Sequence, residues 1–295
     1  MRIVAIVNRG AGSVVQGRVR EEELGSLFHA AGVDAQVLFL PGERILDAAR
    51  EAVASGADAV VAGGGDGTIR SVASVLVGGS VPLGVLPIGT LNHFARDLNI
   101  PVDLAEAVRL IPRGAPKALD VGEVNGEIFI NNSMLGLYPP MVRVRDRERR
   151  HLSRGKWAAT FSAALKVLPR LPLLHVRVKG EDLSIDRETR FVFIGNNEYE
   201  MNAFTYGARS RFDSGDLYLY IAKSRSRLGL VGLALLGLVR DVKSTRSFDR
   251  WCLPEFTIDV HKRALPVYLD GEVTLLSPPL RYRVRPRSLP VILPA

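Results

Sequence analysis

Cysteine is nearly absent from the sequence: Cys252 is the single one in 295 residues. One cysteine excludes an intrachain disulfide framework and a cysteine-rich zinc ribbon. It is compatible with the reducing environment of the cytoplasm, where structural disulfides are rare. We therefore expect a cytoplasmic protein whose fold depends on a hydrophobic core.

Long hydrophobic runs are also missing. The longest apolar stretch, Leu228 to Val239, is much shorter than the roughly 20 residues that a membrane-spanning helix needs. We interpret it as a buried or amphipathic helix, with a shallow membrane-contacting helix as the alternative. The apolar run near the N-terminus is too short for the core of a signal peptide.

Acidic residues are outnumbered, since 31 Asp and Glu stand against 39 Lys and Arg and leave a formal net charge of +8. This excess favours an anionic partner: a phosphate compound, a nucleic acid or an acidic lipid surface. Aromatic residues are only 7% of the chain. Because no recognition signature interleaves aromatic with basic residues, we expect no nucleic-acid partner.

Two patterns divide the chain, and they predict two domains, 1–116 and 117–295, with a boundary near residues 112–122. In the first, apolar strand patterns alternate with helical ones, which indicates an α/β domain with a parallel sheet. The second has short alternating segments separated by turn dipeptides, which predicts a mostly antiparallel β-sandwich. Its predicted helical insertions are residues 143–168 and 228–240.

A glycine-rich loop, Gly63–Thr68, follows the predicted strand at 57–62 and precedes a predicted helix. Such a loop lets the backbone approach a ligand, and the helix start adds N–H donors and a positive dipole end. It suits phosphate binding, although a tight turn without a ligand is the alternative. The loop matches neither the dinucleotide fingerprint, which would need glycine at Thr68, nor a Walker loop, which needs Gly-Lys-Ser/Thr.

A second loop of this kind, Leu86–Asp97, follows the predicted strand at 83–86. Thr90 is placed either to cap the next helix or to bind a phosphate oxygen. Ligands of parallel sheets bind at the carboxyl ends of strands, so both loops would face one crevice.

Together, four motifs resemble the diacylglycerol kinase catalytic-domain family, soluble bacterial lipid kinases related to sphingosine and ceramide kinases. Two of them are the glycine-rich loop and the Gly-Thr-Leu-Asn-His-Phe-Ala stretch that starts at Gly89. The others are residues 131–136, which match an Asn-x-x-x-x-Gly stretch, and residues 268–272, which match a late Asp-Gly-Glu motif. Asn8–Ser13 also lies where the family has an Asn-Pro turn, with Arg9 in place of the proline.

The resemblance implies an ATP- and Mg²⁺-dependent kinase with ATP in a cleft between a Rossmann-like α/β domain, as in NAD kinase, and the β-sandwich. Asp270 would accept the proton of the lipid hydroxyl, with Glu272 close by, although local sequence alone favours a plain Asp-Gly hairpin turn for Asp270. Asp66 would position Mg²⁺ through water. The implied nucleotide-binding residues are Asn8, Gly64, Gly65, Asp66, Gly67, Thr68, Gly89, Thr90 and Asn92.

A second metal site is implied at Asp213 and Asp216, where the family often has an Asp-Asp-Gly turn that holds a structural Mg²⁺. Ser214 replaces the second aspartate of that turn. This departure favours a plain β-turn at least as much as a metal site. His93, a family variant of a common aspartate, is interpreted as a packing residue at a helix start.

The basic run Arg143–Lys156 carries seven cations against two acids. Such runs are usually a solvated helix face. The alternative is a patch for anionic bilayers, with Trp157 and Phe161 immediately downstream.

We therefore predict a cytoplasmic kinase that visits the membrane surface and phosphorylates a lipid hydroxyl, diacylglycerol being the first candidate. The alternatives are a kinase of a soluble hydroxylated substrate such as NAD and a nucleotide-binding protein without catalysis. The head group, the acyl preference and any homo-oligomer stay open.

Overall fold

Buried β-branched residues form the centre of the first sheet in the computed structural model, which describes residues 1–136, 172–199, 209, 211–223 and 248–294. In β1 (Ile3–Asn8), the first five residues are buried. It pairs in parallel with β2 (Ala35–Leu40) on one side and β3 (Ala59–Gly63) on the other, and β3 pairs in parallel with β4 (Leu83–Leu86). The carboxyl ends of β1, β3 and β4 therefore lie along one edge.

Amphipathic helices connect these strands and cover the sheet. In α2, Leu24 and Phe28 are buried while its glutamates are exposed. The last helix of the series begins with a capping bond, because the Asp103 carboxylate accepts a hydrogen bond of 2.9 Å from the N–H of Glu106. The helices are α1 (Gly12–Val15), α2 (Glu21–Ala30), α3 (Ile45–Ala54), α4 (Asp66–Leu76), α5 (His93–Asp97) and α6 (Leu104–Arg113).

The chain forms two compact units, one of residues 1–121 and 285–295 and the other of residues 122–284. The C-terminal strand β16 (Leu280–Leu293) ends in the first unit, where Val291 pairs in parallel with Leu83 of β4. The N–H of Gly78 also donates a hydrogen bond of 2.7 Å to the carbonyl oxygen of Ser288. The end of β16 thus pairs with the sheet of the first unit. The predicted boundary at 116/117 lies inside β5 (Ala115–Val124).

Two antiparallel sheets build the second unit. One contains the start of β16 followed by β13, β8 and β9, and the other has the order β12-β11-β10-β7-β14-β15. A hairpin joins β5 to β6. The strands are β6 (Glu127–Phe129), β7 (Asn132–Gly136), β8 (Leu174–Lys179), β9 (Ser184–Thr189), β10 (Phe191–Asn196), β11 (Leu217–Ala222), β12 (Phe248–Leu253), β13 (Glu255–Val260), β14 (Leu265–Leu269) and β15 (Glu272–Leu276).

Alternate residues of both sheets meet in the core of the sandwich, among them Val176 and Ile258 from one sheet and Leu135 and Val267 from the other. Tyr282 is fully buried there, and its hydroxyl lies 2.9 Å from Oγ of Ser133. Burial raises the pKa of Tyr282 above its usual range, while the Ser133 hydrogen bond acts weakly in the opposite direction. The predicted fold class, a parallel α/β domain followed by an antiparallel sandwich, is confirmed.

Three sequence interpretations lie outside the described residues. These are the helical insertions at 143–168 and 228–240 and the basic run Arg143–Lys156 with its downstream aromatic residues. Within the described ranges, no helix is both long enough and apolar enough to cross a bilayer.

Candidate functional site

The loop after β1 is tied to the loop after β3 by Asn8. Its Nδ2 donates a hydrogen bond of 3.0 Å to Oγ1 of Thr68, and its Oδ1 accepts one of 2.8 Å from the N–H of Gly10. β1 and β3 are neighbours in the sheet, so the two loops leave the same edge. Two predicted nucleotide-binding residues, Asn8 and Thr68, are therefore in direct contact.

Gly64 permits the tight entry into α4. A Cβ at this position would lie 2.5 Å from both Cβ and Oγ1 of Thr68, so a larger residue would push the loop away from the helix. The first bond of the helix runs from the N–H of Ile69 to the carbonyl oxygen of Gly65, at 3.1 Å. The N–H groups that precede Ile69 have no acceptor inside the helix, as at every helix start.

The loop after β4 contacts both other loops. A Cβ on Gly89 would lie 2.4 Å from the Cα of Gly65, which means that the two backbones touch. The exposed Thr90 has its Oγ1 3.3 Å from where a Cβ would stand on Gly12. We call residues 8–13, 63–68 and 87–93 the three-loop cluster. It brings the predicted residues of both glycine-containing loops together with Asn8.

The Asp66 carboxylate fastens the second loop to the third. Oδ1 accepts a hydrogen bond of 3.0 Å from the N–H of Phe94, and Oδ2 one of 3.2 Å from the N–H of His93. These N–H groups belong to the first turn of α5, whose N-cap residue Asn92 makes no capping bond. Asp66 thus caps a distant helix, a role without any local sequence signal. Its part in positioning Mg²⁺ stays a prediction.

Asn92 is buried in a left-handed conformation, with φ of 52°. Its Nδ2 donates to the carbonyl oxygens of Pro87 and Gly89, at 2.7 and 3.3 Å. Its buried Oδ1 has no hydrogen-bond partner among the described residues. An unsatisfied buried acceptor costs about 1–3 kcal/mol, so the position of Asn92 is held by its two donor bonds to Pro87 and Gly89 and not by its side-chain oxygen.

The donor set of the three-loop cluster suits the phosphates of a nucleotide. The start of α4 supplies backbone N–H groups and the positive end of the helix dipole, and Thr90 supplies a hydroxyl. Access is open at Gly65, where a Cβ would meet only the Cα of Gly89, at 3.8 Å. Across the residues that the structure describes, no three or more His, Cys, Asp or Glu side chains lie together as a metal cluster.

In the second unit, the carboxylate of Asp270 is buried against a backbone segment. Its Oδ2 accepts a hydrogen bond of 2.6 Å from the N–H of Ile130. Its Oδ1 accepts bonds of 2.8 and 3.0 Å from the N–H groups of Asn131 and Asn132. Asp270 itself lies in the hairpin turn between β14 and β15 with φ of 46°. The turn and the Asn-x-x-x-x-Gly stretch are thus parts of one assembly.

Arg209 holds the same segment from its carbonyl side. Its Nη1 donates to the carbonyl oxygens of Ile130 and Asn196, at 2.7 and 3.2 Å, and its Nη2 to Oδ1 of Asn131, at 2.7 Å. The guanidinium is buried and stacks on Phe212, 4.8 Å from the ring centre. We call residues 130–132 the clamped segment. Sequence reasoning missed Arg209, because nothing in its local pattern marks it.

Replacing Arg209 by methionine is expected to lower the free energy of unfolding by about 2–4 kcal/mol, because buried carbonyl groups lose charged donors. Urea unfolding of the purified variant measures this loss. The matched control is Arg211→Met: Arg211 is exposed and lies 3.8 Å from Asp213, so its loss should cost less than about 1 kcal/mol. Equal losses in the two variants would contradict the buried clamp.

Glu272, Asp213 and Asp216 are the remaining predicted site residues of the second unit. Glu272 is exposed at the start of β15, and Asp213 is exposed in a turn. Ser214, the departure from the family's metal turn, is held by Asn197, whose Oδ1 accepts bonds from its N–H and Oγ at 2.9 and 2.7 Å. The carbonyl oxygen of Asp216 accepts a bond of 3.3 Å from the N–H of Asn197. Metal binding at Asp213 and Asp216 stays a prediction.

Known proteins resemble the chain in sequence. The model of the diacylglycerol kinase catalytic domain matches residues 2–124. A probable lipid kinase, YegS-like, from Pseudomonas aeruginosa PAO1 is 33% identical over 248 residues, which cover 83% of this chain and 80% of the relative. Its counterpart from Pseudomonas syringae pv. tomato DC3000 is 31% identical over 247 residues, covering 83% of this chain and 79% of its own.

Solved structures share the fold. A diacylglycerol kinase from Bacillus anthracis str. Sterne superimposes with a TM-score of 0.71 at 20% identity, over 99% of this chain and 97% of that one. A second structure from the same organism reaches a TM-score of 0.77 at 22% identity, with the same coverage. The order of the two folds along the chain is therefore shared with solved proteins.

Proposed function

Since the chain belongs to the diacylglycerol kinase catalytic-domain family and is similar to YegS-like lipid kinases, we propose that it transfers the γ-phosphate of ATP to a lipid hydroxyl. Diacylglycerol is the first candidate acceptor. The observation that carries the proposal is the three-loop cluster. In it, contacts of Asn8, Thr68 and Gly89 hold the loops after β1, β3 and β4 together at the start of α4.

The nucleotide phosphates would bind at this helix start. Phosphoryl transfer needs little covalent work from a protein, and its barrier falls through alignment and charge neutralisation. Backbone N–H groups at the start of α4 and the hydroxyl of Thr90 would align the phosphates. Mg²⁺, when bound near Asp66, would neutralise part of the phosphate charge.

We propose that the carboxylate of Asp270 binds the hydroxyl of the acceptor lipid and accepts its proton, with Glu272 two residues away. Three backbone N–H groups and the left-handed turn hold the Asp270 carboxylate in one position. A fixed carboxylate can orient a hydroxyl at little entropic cost, because its own rotamer is already determined. The hydroxyl proton is lost late in a loose transition state, so orientation is the main task of this group.

The proposal is tested by incubating the purified protein with γ-labelled ATP, Mg²⁺ and mixed micelles of candidate lipids. We expect label in a lipid product, diacylglycerol giving the strongest signal. Label in NAD and in no lipid would favour a soluble acceptor instead. NAD is the specific alternative because the Gly-Gly-Asp-Gly-Thr loop also resembles that of NAD kinase. Nucleotide binding without transfer to any acceptor would contradict catalysis.

Action at the membrane surface is part of the proposal, because a lipid hydroxyl is presented by a bilayer. Its cytoplasmic location and the membrane contact of Arg143–Lys156 stay predictions from the sequence. Activity on vesicles should rise with anionic lipid and fall with salt if basic side chains hold the enzyme at the surface. Indifference to both would contradict electrostatic docking.

A further inference from the structure

Three neighbouring strands of the second unit place two cations and a hydroxyl in one row. Thr257 of β13 is directly opposite Lys179 of β8 on one side and Arg281 of β16 on the other. Strands lie about 4.8 Å apart, so the row spans about 10 Å between its outer Cα atoms. The residues next in sequence, such as Val178 and Leu280, are buried in the sandwich core. The row therefore faces away from that core.

A groove of about 250 Å³ lies over the part of this row formed by Lys179 and Thr257. Its lining consists of Arg177, Lys179, Thr257, Asp259 and Pro279. Four of these five side chains carry a polar or charged group, so hydrogen-bond donors for an anion are available along the groove.

The charges along the groove leave a positive excess at the row. Arg177 is balanced by Asp259, at 3.1 Å, and its guanidinium also donates a bond of 3.1 Å to Nδ1 of His261. Within the described parts of the chain, neither Lys179 nor Arg281 forms an ion pair. Lys179 and Arg281 thus stand on either side of Thr257, and their charges are not balanced by an ion pair in the described residues. Two such charges beside a hydroxyl favour an anion.

The Arg281 end of the row is held firmly. The N–H of Arg281 donates a bond of 2.8 Å to Oδ1 of Asn125, and its carbonyl oxygen accepts one of 3.2 Å from the N–H of Asn125. The next outward arginine, Arg283, is paired with Glu123 at 2.7 Å. Of the two outward arginines Arg281 and Arg283, Arg281 is therefore the one that has a fixed backbone and no ion pair among the described residues.

We infer that the row Lys179–Thr257–Arg281 binds a phosphate group. Lysine would supply a point charge, arginine a planar fork that matches two phosphate oxygens, and threonine a hydroxyl donor. The site lies wholly in the second unit and does not depend on the proposed kinase activity. The phosphate group can come from the head group of an anionic phospholipid or from a phosphate compound in solution.

The first arm of the test uses vesicles of phosphatidylcholine with and without phosphatidylglycerol. At about 1 kcal/mol for each cation near an anionic surface, the Lys179→Gln/Arg281→Gln variant should partition about 30-fold more weakly. The charge-matched control is Arg109→Gln/Arg113→Gln, which removes two exposed cations of α6. We expect the control to lose less than about threefold.

The second arm compares inorganic phosphate with chloride at equal ionic strength. Binding is measured by NMR from the amide resonances of Thr257 and Arg281. We expect saturable shifts of these resonances in the unmodified protein. The affinity for phosphate should be at least about tenfold lower in the double variant, which is the loss expected for one charged hydrogen bond. Phosphate that binds at the three-loop cluster shifts the resonances of that cluster. Absence of binding at one site is therefore measured independently of the other.

The Thr257→Val variant distinguishes a specific phosphate site from non-specific electrostatic attraction, because it removes a hydrogen-bond donor without changing the net charge. We expect about fivefold weaker binding in the arm that shows binding, equivalent to about one neutral hydrogen bond. Binding in the vesicle arm alone assigns the site to a lipid head group, and binding in solution alone assigns it to a soluble phosphate compound. Absence of binding in both arms, or equal losses in the charge-matched control, would overturn the inference.

Discussion

The Gly89→Ala variant is expected to lose about 100-fold or more of its phosphoryl-transfer activity, the loss that a misplacement of about 1 Å produces in an aligned site. The added Cβ would stand 2.4 Å from Cα and 2.8 Å from the backbone N of Gly65. No side-chain rotation can relieve a contact with backbone, so the second and third loops must separate. Labelled-ATP transfer and nucleotide binding measure the loss.

Gly25→Ala is the matched control for this substitution. Gly25 lies inside α2, and a Cβ there would have no heavy atom within 4 Å. Alanine in a helix interior is more stable than glycine by about 0.5–1 kcal/mol, so activity should be kept and stability slightly raised. Full activity of Gly89→Ala would contradict the proposed role of the three-loop cluster.

The Asp270→Asn variant is expected to lose both phosphoryl transfer and about 2–4 kcal/mol of stability, because unsatisfied buried groups are costly. The carboxylate accepts three backbone N–H groups. A carboxamide offers one oxygen, and its NH₂ would face a backbone N–H that also needs an acceptor. Urea unfolding measures the stability loss, and the labelled-ATP assay measures transfer.

Nucleotide binding distinguishes the local effect from general unfolding. The three-loop cluster lies in the first unit, so Asp270→Asn should still bind ATP under conditions where the chain stays folded. Glu272→Gln, at an exposed position, serves as the stability control and should change the free energy of unfolding by less than about 0.5 kcal/mol. Full transfer by Asp270→Asn would exclude Asp270 as the group that orients the hydroxyl. Unchanged stability would contradict the hydrogen bonds of the clamped segment.

Sequence patterns were sufficient where the determining interactions are local. The buried run of β1 and the amphipathic pattern of α2 predict a strand and a helix, because burial on one or both faces follows a short repeat along the chain. The strands β7, β9, β12 and β15 were not predicted from the sequence. In β9 the charged residues Asp186 and Glu188 occupy exposed positions, and pairing with β8 stabilises the strand.

The functions of single residues were less accessible to sequence reasoning. A local pattern describes Asp66 as part of a glycine-rich loop, yet its carboxylate caps α5, a contact across 27 residues to His93. Arg209 lies in a stretch without any motif, yet it donates to Ile130, 79 residues away. Such contacts depend on how strands are ordered in a sheet, which neighbouring residues do not encode.

The sequence by itself determined the two fold classes, the glycine-containing loops and the shortage of cysteine and long apolar runs, because composition and short-range periodicity suffice for these. Only the tertiary structure decided that three loops meet at one sheet edge, that residues 285–295 return to the first unit, and that Asp270 is anchored by a segment about 140 residues earlier. The physical reason is that parallel strands and buried hydrogen bonds join residues far apart in the chain. Their partners are selected by the packing of the whole unit.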